Sequence, residues 1–425
     1  MSPFPHTTRS ATVRIDAARL SERLAALAEI GETGDGGCAR LALTDADRDG
    51  RDLVVTWMRD LGMVVTVDAV GNVTGFWSGG PGSDPQLPPV MCGSHIDTVR
   101  TGGRYDGNYG VLAGLEVIET LITSAVPTRR PVAVSVFTDE EGARFAPDML
   151  GSLVYAGGMS VEDAHDVVAV DGARLGDELE RIGYAGPAPC PGPVPHAFVE
   201  LHIEQGPVLE AEGVTIGVVT GVQGISWQEL TVTGQSNHAG TTPISHRHDP
   251  AYVAARIVTF VRDLCDELGE PQVGTVGRIE LHPNLVNVVA ARATLTVDLR
   301  NTDEAVLVAA ERRLAAYCGQ VAAEEGVSIE SRSLARFEPV VFDPAMVDLV
   351  ESTARSLDLT SRRMPSGAGH DAQMLARVCP TSMIFTPSAG GISHNPAEHT
   401  DAADLEAGAN VLLGVVVALA QEPSR

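Results

Sequence analysis

The chain has 425 residues, 44% of them hydrophobic and 20% charged, which is the composition of an ordinary soluble protein with two or three domains. Its formal net charge of −26 argues against nucleic-acid or anionic-membrane partners, because phosphate groups would be repelled. Six scattered cysteines without a CxxC pair predict reduced thiols. No apolar run approaches the roughly 18 residues of a membrane span and the start lacks a signal-peptide core, so we expect a cytoplasmic protein.

After a loose N-terminal tail, the first predicted elements are a helix over 47–62 and a hairpin over 63–78. Residues 88–94 predict a short strand, and helical spacing of apolar residues begins at Tyr109. The apolar, β-branched run 131–138 predicts a strand buried on both faces. This order predicts an α/β domain with a mostly parallel sheet flanked by helices.

The middle of the chain has a different pattern. Residues 227–235 and 291–300 alternate strictly between apolar and polar, which predicts a sheet with one exposed face. Amphipathic helices are predicted over 251–268 and 305–326. We therefore expect a separate α+β domain inserted into the α/β domain, which gives three segments: 1–217, 218–335 and 336–425.

Four polar clusters follow predicted strands: His95 with Asp97 and Asp106, then 139–141, 200–206 and 391–400. Taken singly, each could be an ordinary structural histidine, a solvated turn or a helix start. In an open α/β sheet, however, ligands bind beyond the carboxyl ends of the strands, so the clusters are expected to converge. Imidazole and carboxylate ligands together suit zinc, manganese, cobalt or nickel.

This chemistry predicts two metal ions. His95, Asp106 and His202 supply three ligands for one ion, and Glu141 and His394 supply ligands for a second. Asp106 has two carboxylate oxygens and is expected to bridge ions about 3.5–4 Å apart, as in two-metal hydrolases.

Two neighbouring carboxylates are predicted to assist these ligands. Asp97 lies two residues from His95 and is expected to accept a hydrogen bond that fixes the imidazole tautomer. Glu140 precedes the ligand Glu141 and is expected to act as general base toward water.

Five segments resemble the amidase/hydantoinase/carbamoylase family of binuclear metallohydrolases: GSHIDTVRTGGRYDG, FTDEEGARF, ELHIEQGPVLE, VTGQSNHAGTTP and ISHNPAEHT. That family includes N-carbamoyl-L-amino acid hydrolases, allantoate amidohydrolases and β-ureidopropionases. The resemblance runs from about residue 15 to the C-terminus. It implies a catalytic domain with an inserted lid and dimerisation domain, a homodimer, two divalent ions (Zn, Mn, Co or Ni), the same five ligands and the same base.

The resemblance also implies a substrate-binding set: Gln205, His238, Asn287, Arg300, Ser366 and Gly367. Arg300 would hold a carboxylate with two parallel hydrogen bonds, although a surface ion pair with Asp298 or Glu229 is the alternative. His238 would donate to a developing oxyanion, or it is a capped loop histidine. His370, close to Ser366 in sequence, is expected to have a structural role.

The implied reaction is hydrolysis of the ureido C–N bond of an N-carbamoyl-L-amino acid, a small carboxylate-bearing substrate, to the L-amino acid, CO2 and ammonia. Allantoate amidohydrolase is the first alternative and β-ureidopropionase the second. A dizinc aminopeptidase or aminoacylase is the alternative from another class, against which His202 and Gln205 in ELHIEQG stand. A non-enzymatic relative would be expected to lack a ligand or the base.

Overall fold

The computed structural model describes residues 13–80 and 82–422. They form two compact units, of which the first combines the residues up to Thr220 with those from Phe342 onward, and the second is Gly221–Val341. The expected insert was 218–335. All six cysteines are free thiols, as predicted.

The helices and strands of the first unit before the insert are α1 (Ala17–Ala28), α2 (Asp45–Asp60), β1 (Val64–Val67), β2 (Val73–Trp77), β3 (Val90–His95), α3 (Asn108–Thr123), β4 (Val132–Phe137), α4 (Leu150–Tyr155), α5 (Val161–His165), α6 (Leu175–Ile182), β5 (Ala197–Ile203), α7 (Val208–Glu212) and β6 (Ile216–Val222). The predicted helix over 47–62, the hairpin and the strands at 88–94 and 131–138 are all present.

The second unit contains β7 (Gly224–Thr233), β8 (Asn237–His238), α8 (Pro250–Leu268), β9 (Val273–His282), β10 (Val288–Val289), β11 (Arg292–Asn301), α9 (Glu304–Glu325), β12 (Ser328–Phe337) and β13 (Val340–Val341). The chain then returns to the first unit with α10 (Pro344–Ser356), β14 (Ser361–Ser366), α11 (Asp371–Leu375), β15 (Thr381–Thr386) and α12 (Ala402–Ala420).

The large sheet has the order β1-β2-β4-β3-β5-β15-β6-β13, with β14 paired to β6. Its centre is parallel, since β3 pairs in parallel with β4 and β5, and β15 with β5. Its edges are antiparallel, at β1-β2-β4 on one side and β15-β6-β13 on the other. The expected mostly parallel sheet is therefore a mixed one, because an apolar run predicts burial but does not reveal strand direction.

Burial explains why the central strands form where they do. Every residue of β3, β4, β5 and β15 is buried, as expected of strands covered on both faces. Helix α12 is long and apolar enough to cross a membrane by length and composition, but most of it is buried inside the fold. It packs on α3, β5 and β15, so its apolar character is that of a core helix.

The second unit is an antiparallel four-stranded sheet, β12-β7-β11-β9, with α8 and α9 packed on one face. Strand β11 alternates between buried and partly exposed residues along its length, which confirms the alternation predicted for 291–300. Its inward residues join those of the two helices in one apolar core. Arg300 lies on the opposite face of the strand from Leu299 and Val297.

Candidate metal centre and active site

The candidate site lies at the carboxyl ends of the four central strands. His95 is the last residue of β3, the 139–141 segment follows β4, His202 lies near the end of β5, and His394 follows β15. Because β4, β3, β5 and β15 are adjacent and parallel, their ends meet at one edge of the sheet.

The structure brings the five predicted metal ligands together in two groups that share Asp106. Asp106 Oδ1 lies 3.5 Å from His95 Nε2 and 3.1 Å from His202 Nε2. Its other oxygen, Oδ2, lies 3.5 Å from His394 Nε2, which in turn is 3.3 Å from Glu141 Oε2. Two ligand atoms on one tetrahedral zinc-sized ion would be about 3.4 Å apart, so both groups have the spacing that a metal requires.

The histidine tautomers also fit a metal. The Nδ1 of His95 donates to the backbone carbonyl of Asp97 at 2.9 Å, and the Nδ1 of His202 donates to the carbonyl of Ile203 at 2.8 Å. Each neutral ring is therefore left with an acceptor Nε2 near Asp106: that of His202 accepts the backbone N–H of Gly107 at 3.0 Å, and that of His95 is buried without a hydrogen-bond partner among the described residues. The unpartnered lone pair of His95 Nε2 lies 3.5 Å from an Asp106 oxygen that would repel it, whereas a cation between the two would attract both.

Asp97 contacts His95 through its backbone carbonyl and not through the side-chain carboxylate that was expected to accept the hydrogen bond. Its backbone carbonyl fixes the His95 tautomer, while its carboxylate is 3.9 Å from His95 Nδ1. The carboxylate instead accepts the backbone N–H groups of Glu140 and Glu141, both at 3.3 Å. Asp97 thus holds the segment that carries the predicted base and ligand, which a sequence spacing of two residues could not reveal.

Glu140 is buried beside the ligands, with its Oε2 3.5 Å from His95 Nε2. Burial raises the pKa of Glu140 well above its usual range; Asp371 and Glu141 add to the effect, and His95 opposes it. A carboxylate with a raised pKa is a stronger base, as general-base catalysis requires.

Two glycines of the 102–107 loop are needed for close approach. At Gly107 the backbone has φ +65°, and a Cβ would overlap the His95 ring. At Gly103 a Cβ would overlap the side chain of Glu398. The glycines therefore let Asp106 approach both histidines and a second carboxylate.

Gln205 lies at the shared ligand. Its Nε2 donates to Asp106 Oδ2 at 2.7 Å, and its backbone N–H donates to Ser388 Oγ at 3.0 Å. Its Oε1 is buried and accepts no hydrogen bond from the residues that the structure describes.

The loop at 366–370 contacts His202 through the ring of His370. Ser366 Oγ donates to the carbonyl of Ala368 and so must accept from His370 Nε2, 2.9 Å away. The His370 ring is buried 4.6 Å from the His202 ring, and burial lowers its pKa well below the usual range. His370 is therefore a neutral packing partner of a candidate ligand, while Gly367 is exposed.

The other predicted substrate residues belong to the second unit. His238 pairs with Val288 across the β8–β10 ladder, next to Asn287, and its Nδ1 accepts the N–H groups of Gly240 and Thr241. His238 is exposed and has the loop-capping role that was the alternative for it.

Arg300 is paired with a carboxylate of its own strand. Its Nε is 3.1 Å from both oxygens of Asp298, and its Nη2 is 2.9 Å from Oδ2. Its guanidinium also lies over the ring of Trp227. One of the two alternative ion pairs is thus formed.

Several buried carboxylates at the site were not singled out from the sequence. Glu398 accepts the N–H groups of Tyr105 and Asp106, and Ser393 Oγ lies within hydrogen-bond distance of both Glu398 and Asp106. Glu200 accepts from Ser94 Oγ and the N–H of Ala372 behind the histidines. The only signal was that both glutamates fall inside the polar clusters at 200–206 and 391–400.

A carboxylate shared by two histidine-containing groups at the edge of an α/β sheet, with a buried base beside them, defines a metal-dependent hydrolase. Residues 91–418 match the model of peptidase family M20/M25/M40. The chain belongs to this family and is an amidohydrolase within it. Hydrolases of this family use divalent metal ions.

The chain is 41% identical over 408 residues to an N-carbamoyl-L-amino-acid amidohydrolase of Rhizobium meliloti, covering 96% of this chain and 97% of the relative. It is 37% identical to the allantoate amidohydrolase of Escherichia coli K12, covering 94% and 97%. Among solved structures, an amidase of the hydantoinase/carbamoylase family from Burkholderia multivorans superimposes with a TM-score of 0.93 at 46% identity, covering 97% of this chain and all of that one.

Proposed function

We propose that the enzyme hydrolyses the ureido C–N bond of N-carbamoyl-L-amino acids to the L-amino acid, CO2 and ammonia. The observation that carries the proposal is the pair of ligand groups on Asp106 with buried Glu140 beside them, which suits hydrolysis of an unreactive C–N bond. Relatives named for this activity, at 41% and 38% identity, support the choice of substrate.

His95, Asp106 and His202 would hold one divalent ion, and Asp106, Glu141 and His394 a second. When bound, such ions supply acidified water and polarise a carbonyl group. Zinc, manganese, cobalt and nickel all suit this mixture of imidazole and carboxylate ligands.

Glu140 takes the proton of the attacking water and returns it to the leaving nitrogen. Its neighbours support both steps, since burial favours the protonated carboxyl between them. Asp97 keeps Glu140 at the site through the backbone hydrogen bond described above. Over the whole reaction one water is consumed, and one amine, one ammonia and one CO2 are released.

The remaining residues bind the substrate. Gln205 Oε1 accepts from a substrate N–H, and Ser366 and Gly367 contact the substrate as the family resemblance implies. Arg300 binds the substrate carboxylate, which replaces the carboxylate of Asp298 as its partner. His238 donates a hydrogen bond to the developing oxyanion, and Asn287 lies beside His238.

These last three residues belong to the second unit and the metal ligands to the first. Following the family resemblance, we propose that the second unit is a lid and dimerisation domain. Sizing should show a homodimer. Mixing inactive His238→Ala and Glu140→Gln chains should restore partial activity if His238 serves the partner's site. A mixed dimer without activity would place His238 in the site of its own chain, and a fully active monomer would exclude the dimer.

Allantoate is the second candidate substrate, because relatives named allantoate amidohydrolase reach 37% identity over nearly the whole chain. The test is kcat/KM for ammonia release from N-carbamoyl-L-amino acids, allantoate and 3-ureidopropionate. We expect the first class to give the highest value. A higher value for allantoate would reassign the enzyme, and turnover of dipeptides alone would move it to the peptidases.

A further inference from the structure

Ser393 and Glu398 lie in the loop after β15, the same loop that carries the candidate ligand His394. Neither is in the proposed ligand set. Only 5% of Glu398 is exposed, although the loop residues just before it are mostly exposed. Its carboxylate therefore points into the protein. What it contacts there is the segment that carries Asp106.

The contacts of Glu398 are directed at the backbone of this segment. Its Oε1 accepts the N–H of Tyr105 at 2.9 Å and the N–H of Asp106 at 3.2 Å. Gly103 has no side chain at the point where Glu398 passes, and a Cβ there would overlap the carboxylate. The position of Asp106 in the backbone is thus fixed by a residue almost 300 positions later in the chain.

Ser393 contacts the side chain of Asp106, whereas Glu398 contacts its backbone. Its Oγ lies 3.0 Å from Asp106 Oδ2 and 3.1 Å from Glu398 Oε2, so the hydroxyl lies between the two carboxylates and donates its one proton to either of them. Asp106 Oδ2 is the oxygen that faces His394, whereas Oδ1 faces His95 and His202. The connection is therefore made on the side of the second ligand group.

We propose that Ser393 and Glu398 are positioning residues that hold Asp106 in the bridging orientation and tie it to the loop of His394. The proposal rests on the proposed two-metal function. Hydrogen bonds to a ligand orient it and are typically worth about 10–100-fold in metal affinity. The second group needs this support more, because the His394 side chain is half exposed while the His95 and His202 side chains are 1% exposed.

The expected result is a selective loss of one metal ion. Glu398→Ala and Ser393→Ala should weaken the ion held by Asp106, Glu141 and His394 about 10–100-fold and leave the other ion bound. Metal content after dialysis against a graded chelator, measured by elemental analysis, should fall from two ions per chain to one. kcat should recover at high metal concentration with KM unchanged, which a folding defect would not produce.

Two further variants separate positioning from charge and from general loosening of the loop. Glu398→Gln keeps an oxygen that accepts the two N–H groups and an amide that donates to Ser393, so it should retain both ions. Glu210→Ala is the matched control, because Glu210 accepts the N–H of Gly390 near the same loop and is not among the hydrogen-bond partners of Asp106 given by the described residues.

The outcomes are distinguishable. If the wild-type chain binds no metal, the proposed two-metal function is wrong, and the positioning proposal that rests on it is wrong as well. If the wild type binds two ions and both alanine variants keep them at unchanged affinity, the positioning role is refuted. It is equally refuted if Glu398→Gln loses metal as Glu398→Ala does, or if Glu210→Ala loses it too.

Discussion

Replacing Glu140 by glutamine tests the separation of base from ligand. The amide has nearly the same shape, and the backbone N–H of residue 140 still donates to Asp97, so the segment should keep its position. What is lost is the proton acceptor 3.5 Å from His95 Nε2. A positioned general base contributes about 10²–10⁴-fold, so kcat should fall by that factor while metal content stays at the wild-type level.

Glu141→Gln is the matched comparison one residue further along. Its Oε2 is 3.3 Å from His394 Nε2, so it belongs to the second ligand group. This variant should lose the second ion, and its activity should recover in part when metal is added in excess. Ammonia release and elemental analysis on the same protein samples give both quantities. Loss of metal in Glu140→Gln and retention in Glu141→Gln would show that the two roles are reversed.

Three other predictions follow from particular contacts. Arg300→Ala should raise KM about 10–100-fold with a smaller effect on kcat, because charge-assisted hydrogen bonds to a carboxylate contribute about 1.5–3 kcal/mol. An unchanged KM would show that Arg300 only pairs with Asp298 and does not bind the substrate. Arg51→Ala should lower the free energy of unfolding in urea by about 3–5 kcal/mol, since it leaves the Asp47 carboxylate, 2.8 Å from Arg51 Nε, buried without its partner; a loss under 1 kcal/mol would contradict this. Gly107→Ala should lose metal, measured by elemental analysis, because its Cβ would displace the candidate ligand ring; full metal content would refute the close-approach argument.

The sequence predicted most accurately the buried central strands and the convergence of the candidate metal-ligating residues at their ends. Buried apolar runs predicted the central strands, and the rule that ligands gather at strand ends predicted that His95, Asp106 and His394 would converge. Strand direction was less accessible, because β6 carries the same kind of apolar, buried pattern as the parallel strands and yet pairs antiparallel with β15. Direction depends on connections and long-range pairing, which local periodicity does not contain.

Partner choice could not be predicted for the same reason. Asp298 and Glu229 were both candidates for Arg300, and only the fold shows that Glu229 is engaged by Arg332 of the neighbouring strand β12 and by Arg278 of β9, two strands away. The contacts of Glu398 are between residues almost 300 positions apart and have no local signature. Such contacts follow from how the two loops meet, which the sequence leaves open.

The dependence of ammonia release on metal content tests the central claim most directly. The protein is stripped with a chelator, its metal content is checked by elemental analysis, and turnover of an N-carbamoyl-L-amino acid is followed while zinc, manganese, cobalt or nickel is added back. We predict no turnover in the stripped protein and a rise that is complete at two ions per chain, with the L-amino acid and ammonia formed in equal amounts. Full turnover by protein shown to be free of metal would contradict the account.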